Sequence, residues 1–208
     1  MRLAAADLTL ERGGRRIFSH LSFAIENGQA LAVTGANGAG KSSLLRALAG
    51  LVRPVAGSIT LTPKSPAMPE SELSLCEAMH YVGPAEGLKN MLTLSENLSF
   101  WGAMLAINKE NHSHLEDALA RFGLSGVAQL PALYLSAGQR RRAALARLLL
   151  APRPIWLLDE PLNALDTASQ NLLREIMREH QAGGGLIVAA THASLGLESF
   201  ELKIGAPA

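Results

Sequence analysis

Two apolar-rich stretches open the chain, residues 3–10 and 17–25, with Gly13-Gly14 between them. Asn27-Gly28 marks a second turn before the apolar run 30–33, so the pattern predicts three strands. A Gly-rich loop follows, Gly35 to Gly40, and then Leu44, Leu45, Leu48 and Leu51 recur at helical spacing. Gly50 and Pro54 end that helix. Residues 57–61 read as a short strand, and 62–77, with Pro63, Pro66 and Pro69, as an exposed connection. Residues 80–83 have the look of a buried strand.

Between Glu86 and Leu135 the periodicity is helical only. Thr93 and Glu96 form a capping box ahead of a face made by Leu94, Leu98, Trp101 and Leu105. Ser113 precedes a second helix with Leu115, Ala118, Leu119 and Phe122, stopped by Gly123, and a third begins at Ser136. Strand character returns at 154–158 and at 186–190. Between them Asp166 caps a helix that carries Leu172, Leu173, Ile176 and Met177 and ends at the glycines 183–185. Strands alternating with helices predict an α/β fold with a largely parallel core sheet, interrupted by a helical subdomain.

Composition narrows the functional classes. The 208 residues suit one domain with its own core. With 48% hydrophobic and 18% charged residues, disorder is excluded. The 19 basic and 18 acidic residues give a net charge of +1, which argues against duplex DNA as a partner. Mean hydropathy is +0.16, yet no run approaches the roughly 18 apolar residues of a membrane-spanning helix. Asp7 and Glu11 break any secretory signal. The single cysteine, Cys76, has no partner for an internal disulfide, which fits a reducing cytoplasm.

The chemistry sits in three motifs. Gly35-Ala36-Asn37-Gly38-Ala39-Gly40-Lys41-Ser42, between a strand and a helix, fits a P-loop. Its glycines let backbone N–H groups turn toward phosphate oxygens, and the helix start adds its positive dipole end. Lys41 would bridge the outer phosphates, Ser42 would ligate Mg²⁺, and Ser43 would donate to the α-phosphate. The apolar strand ending in Asp159-Glu160 is the natural partner. Asp159 would hold the metal and Glu160 would orient the attacking water. The third motif, Leu135-Ser136-Ala137-Gly138-Gln139, is locally a capping box and functionally an anion site at a helix N-terminus.

With these motifs in order, the sequence resembles the ATP-binding cassette (ABC) family, whose signature is LSGGQ. The resemblance runs from about Leu8 to Leu197. It implies the ABC ATPase domain over 1–208, a P-loop NTPase fold. That fold has a parallel core sheet, an antiparallel N-terminal β part and a helical subdomain at about 87–150. Residues 162–166 resemble the D-loop, with Asp166 coupling two sites, and Thr191-His192 resembles the switch histidine. The family's mechanism implies a head-to-tail dimer. ATP would lie between the P-loop of one chain and Ser136, Ala137, Gly138 and Gln139 of the other. The implied catalytic residues are Glu160, His192 and Lys41.

A narrower similarity is to the cassettes of cytochrome c biogenesis that power haem export. It rests on residues 135–147, on Arg12-Gly13 with Ile17-Phe18, on residues 81–83, 88–89 and 92–98, and on residues 191–197. It implies integral membrane subunits as partners, no nucleic acid, and a peripheral position on the cytoplasmic face of the inner membrane. Single-cassette ATPases of soluble machines, such as iron–sulfur cluster assembly, and subunits of other ABC exporters stay open as alternatives. The short tail after Leu197 leaves no room for a regulatory domain.

Three positions depart from the family pattern. Ala137 replaces the first signature glycine, which is acceptable where φ is negative. Ala85 stands where the Q-loop glutamine is expected, and Glu86 is the neighbour that would take over part of its role. Arg12 stands near the place of the adenine-stacking aromatic, and a guanidinium plane can stack on a base. Arg140, Arg141 and Arg142 read as a solvated or interface face, and His112 and His114 as ordinary exposed histidines.

Overall fold

The computed structural model describes residues 1–62, 77–105 and 114–205. Residues 63–76, with the prolines and Cys76, and residues 106–113, with His112 and the capping Ser113, lie outside the described residues. The chain divides into two compact units. The first comprises Met1–Gly83, Pro154–Pro161 and Ile176–Ala208, and the second Pro84–Arg153 and Leu162–Glu175.

The first unit begins with a hairpin. Strands β1 (Arg2–Arg12) and β2 (Arg15–Glu26) pair antiparallel with Arg12 opposite Arg15. Gly13 and Gly14 both take positive φ, as a two-residue hairpin turn of matching twist requires. Leu3, Ala5, Leu8 and Leu10 are all buried, so the inward parity switches from odd to even. The register shift between Ala5 and Leu8 explains this. Asp7 is the extra residue of a bulge, at φ +51°, tied by its Oδ1 to His20 Nδ1 at 2.7 Å.

The core sheet is wholly parallel. After β3 (Ala30–Thr34) come helix α1 (Lys41–Leu48), β4 (Ala56–Thr62), which pairs antiparallel with β1, and β5 (Met79–Val82). Gly50 closes α1 in a left-handed conformation: Leu51 N–H reaches Arg46 O and Gly50 N–H reaches Ala47 O. Leu51, expected on the helical face, lies beyond that cap and is exposed. Strands β6 (Ile155–Asp159), β7 (Leu186–Ala190) and β8 (Phe200–Lys203) complete the order β5-β6-β7-β3-β8. Every residue of β6 and β7 is buried, which is why 155–158 and 186–190 read as unbroken apolar runs. Side chains from β1, β3, α1, β6 and β7 share one core, including Leu8, Val33, Leu44, Leu157 and Val188. Strand β8 carries no clear pattern and went unread in the sequence; Glu201 and Lys203 alternate on an exposed edge.

The second unit is helical. Helices α2 (Leu94–Leu105), α3 (His114–Arg121) and α4 (Ala137–Leu150) pack together around Leu94, Leu98, Ala118, Phe122 and Leu145. The Thr93–Glu96 capping box is present: Thr93 N–H donates to Glu96 Oε2 and Glu96 N–H to Thr93 Oγ1. Helix α5 (Thr167–Ala182) gives its first half to this unit and its second half to the first. Of the solvated or interface face read for the three arginines, full solvation does not hold: Arg141 is buried, and Arg140 and Arg142 are only partly exposed, donating to Ala132 O and Phe122 O.

Candidate active site

Register explains why distant motifs meet in the first unit. Val33 of β3 and Asp159 of β6 both pair with Ala190 of β7. The C-terminal ends of three neighbouring strands therefore stand level, at the edge where open α/β sheets bind ligands. The P-loop leaves β3, Asp159-Glu160 leaves β6, and Thr191-His192 leaves β7.

The P-loop backbone is built by glycine. Gly35, Gly38 and Gly40 have φ of +141°, +81° and +105°. A Cβ at Gly35 would collide with the Ile204 carbonyl, and one at Gly40 with the Ile17 side chain. Ala36, Asn37 and Ala39 complete the turn, and Ala39 N–H closes it on Ala36 O at 3.1 Å. Lys41 opens α1 and is only 7% exposed. Its Nζ donates to Gly35 O at 2.9 Å and Ala36 O at 3.2 Å, and contacts His192 Nε2 at 2.9 Å. With Lys41 as donor, that histidine nitrogen is the acceptor.

Ser42 Oγ donates to Asp159 Oδ1 at 3.0 Å, and Asp159 is 1% exposed. A hydroxyl and a carboxylate converging in a sheltered place are hard oxygen donors of the kind Mg²⁺ takes. Among the described residues no group of three His, Cys, Asp or Glu could hold a metal, so water and phosphate oxygens would have to complete such a shell. Ser43 is the third helical residue of α1 and is half-buried.

Glu160 sits just past β6, its N–H bonded to Ala190 O at 2.9 Å. Its φ of +46° is costly for a non-glycine residue, and such strain gathers at functional sites. Its Oε1 lies 3.4 Å from His192 Nε2. His192 thus stands within reach of both Lys41 and Glu160. Thr191, unassigned in the sequence beyond its place in the motif, anchors the turn: its Oγ1 donates to Ala193 O and accepts from Ala193 N–H.

The signature and D-loop belong to the second unit. Ser136 caps α4 with a complete capping box: Gln139 N–H donates to Ser136 Oγ at 3.2 Å, and Ser136 N–H to Gln139 Oε1 at 2.8 Å. The Ser136 hydroxyl keeps its own proton to donate elsewhere. Ala137 is the first helical residue, so its methyl meets no backbone penalty. Gly138 has no positive φ, and a Cβ there would only touch Ala164 O at an ordinary 3.6 Å. Among the described residues nothing demands glycine at this helix start. Asp166 caps α5 through Ser169 N–H at 2.7 Å, which with the Ser169 side chain and Arg142 holds its carboxyl below the usual range. Gln170, which sequence reasoning missed, donates to Leu162 O and Leu165 O and so fixes the D-loop.

A strand-to-helix P-loop, a buried carboxylate at the end of the next strand but one, and a histidine beyond the strand between them define a P-loop nucleotide hydrolase. The ABC transporter family model matches residues 18–163, and the chain belongs to that family. Its relatives include the cytochrome c biogenesis ATP-binding export protein CcmA of Nitrobacter winogradskyi, 54% identical with 100% of both chains covered. The protein of the same name in Bradyrhizobium diazoefficiens is 49% identical over 99% of this chain and 98% of its own. A solved ATP-binding subunit of an ABC transporter is 25% identical, with a TM-score of 0.79 over 92% of this chain and 80% of that one. The fold is also that of an ATP-binding cassette in a dimeric post-hydrolysis state bound to ADP and phosphate. That cassette is 23% identical, with a TM-score of 0.75 over 92% of this chain and 88% of its own. The family resemblance read from the motifs, the narrower likeness to cytochrome c biogenesis cassettes and the α/β ABC fold are all borne out.

Proposed function

We propose that the chain is the ATP-hydrolysing subunit of an ABC export complex for cytochrome c biogenesis. It powers haem export, or release of haem to its chaperone, at the cytoplasmic face of the inner membrane. The observation that carries the hydrolase reading is the meeting of Lys41, Ser42, Asp159 and His192 at one sheet edge, with separations of 2.9 Å and 3.0 Å. The cytochrome c part is carried over from full-length relatives at about half identity.

In this reading the P-loop amides, Lys41 and Ser43 cradle the phosphates of ATP. Ser42 and Asp159 hold Mg²⁺, which supplies charge neutralisation on the phosphate oxygens. Glu160 accepts a proton from the attacking water, and His192 orients the water and the outer phosphate. A second copy of the chain completes the site with Ser136, Ala137, Gly138 and Gln139, and the bare Gly138 lets phosphate approach the helix N-terminus closely. Asp166, at its cap, links the two sites. Arg12, exposed at the hairpin tip, offers its guanidinium plane to the adenine. No helix of the described residues is long and apolar enough to cross a membrane. Integral membrane subunits supply the path in this reading.

A deletion strain tests it. The expected result is loss of holo-cytochrome c, restored by the wild-type gene and not by Lys41→Ala, with the chain recovered from membranes together with integral subunits. Normal holo-cytochrome c in the deletion strain, or recovery with soluble partners alone, would overturn it.

A further inference from the structure

The position expected to hold a Q-loop glutamine is Ala85, and the side chain of the next residue, Glu86, meets Arg140 of the signature helix. Glu86 Oε2 accepts from Arg140 Nε and from Arg140 Nη2, each at 3.4 Å. Both side chains are largely sheltered, 31% and 22% exposed. Arg140 directly follows Gln139, which closes the capping box on Ser136. Its Nη1 donates to Ala132 O at 2.8 Å, just before the signature, and to Asn90 Oδ1 at 3.1 Å. One planar guanidinium thus meets three groups on two segments, the 86–90 loop and the turn at Ala132. A rigid fork fixed at three points sets the orientation of the helix turn that carries it.

The other end of this link is also fixed. Gly87, next to Glu86, takes φ +68°. Its carbonyl accepts from Trp101 Nε1 at 3.1 Å. A lone exposed ion pair contributes little. This one is sheltered, shares its arginine with a backbone carbonyl, and leads without a break from the start of the second unit to the first turn of the signature helix.

We infer that Glu86 and Arg140 are positioning residues: together they set the orientation in which Ser136 and Gly138 are presented to ATP held by the partner chain. The inference rests on the reading of the signature as half of a composite ATP site. It makes the segment that replaces the Q-loop act on the signature motif through a side-chain link inside the second unit.

A double-mutant cycle tests this on the full chain in its membrane assembly. Glu86→Ala and Arg140→Ala are each expected to lower kcat about tenfold, within the up-to-hundredfold loss that misplacing a reacting group can bring. The KM for ATP should stay within about twofold, since the P-loop is untouched. The double variant should be no slower than the slower single variant, because both remove one link. Glu86→Gln, which keeps an acceptor oxygen, should recover most of the rate. Gly138→Asp serves as the control. If it keeps wild-type activity, the composite-site reading fails. If it is inactive while Glu86→Ala is as fast as wild type, or the two alanine effects multiply, or Glu86→Gln is as slow as Glu86→Ala, the positioning inference alone fails. Should Glu86→Ala not fold, Glu86→Met, which keeps the length and removes the acceptor oxygens, carries the same cycle with Arg140→Ala.

Discussion

The Ser42 hydroxyl donates to Asp159 Oδ1 over 3.0 Å, across 117 positions of sequence. The strand pairing that levels Val33, Ala190 and Asp159 makes this possible. Replacing Asp159 by Asn keeps the shape and removes the charge. Mg²⁺-dependent ATP hydrolysis should fall by at least about 100-fold, since a bound metal contributes several kcal/mol of charge stabilisation. Phosphate release measured across a Mg²⁺ titration checks this; wild-type rates at any Mg²⁺ concentration would contradict it.

Glu160 and His192 should separate chemistry from binding. Glu160→Gln should lower kcat by roughly 10²–10⁴-fold, the range of a positioned general base, while ATP still binds. His192→Ala should cause a smaller fall, because it removes the contact to Lys41 Nζ at 2.9 Å and leaves Glu160 in place. Single-turnover rates set beside equilibrium nucleotide binding distinguish the two.

The capping box gives a stability prediction that isolates the signature serine. Gln139→Ala and Ser136→Ala each break the reciprocal pair and should cost about 1 kcal/mol. For a chain of this size that lowers the thermal midpoint by about 2–4 °C. Ser136→Ala also loses the hydroxyl proposed to meet ATP, so it should lower the hydrolysis rate more than Gln139→Ala, which leaves that hydroxyl in place. Equal rates for the two variants would count against that role.

His180 supplies a pH dependence. Its ring stacks on Trp156 of β6, with centroids 3.8 Å apart and planes within 6°. Burial pushes its pKa down from 6.5 to about 4, against a smaller opposing pull from the Leu186 and Pro154 carbonyls. The folded state therefore favours the neutral ring. Its contribution is full above about pH 6.5 and is lost as pH falls toward about 4, where the unfolded chain binds the proton first. His180→Phe keeps the stack and cannot titrate. Its thermal midpoint should fall less between pH 7 and pH 5 than that of wild type, and parallel decline would refute the assignment.

Much of this was legible in the sequence because local rules and global fold agree. Gly13-Gly14, Asn27-Gly28, the P-loop and the two capping boxes each declare their conformation within a few residues. Strands β6 and β7 were readable because burial on both faces leaves apolar runs at 155–158 and 186–190. Strand β8 was not, since an edge strand with exposed Phe200 and Glu201 has no such signature. The roles of Gln170 and Arg140 were hidden for another reason. Their partners, the Leu162, Leu165 and Ala132 carbonyls, are backbone atoms that the chain's path alone brings within reach. The three arginines at 140–142 read as a solvated or interface face because charge runs usually are solvated; here the helix carries Arg141 inward.

Two chains are proposed to share each ATP, the P-loop of one facing the signature of the other. Sedimentation velocity on Glu160→Gln with MgATP checks this, since slowed hydrolysis keeps the nucleotide intact. The expected species is a dimer that forms only with nucleotide and reverts to monomer when Gly138→Asp is added. A species that stays monomeric with MgATP, or a dimer indifferent to Gly138→Asp, would contradict it.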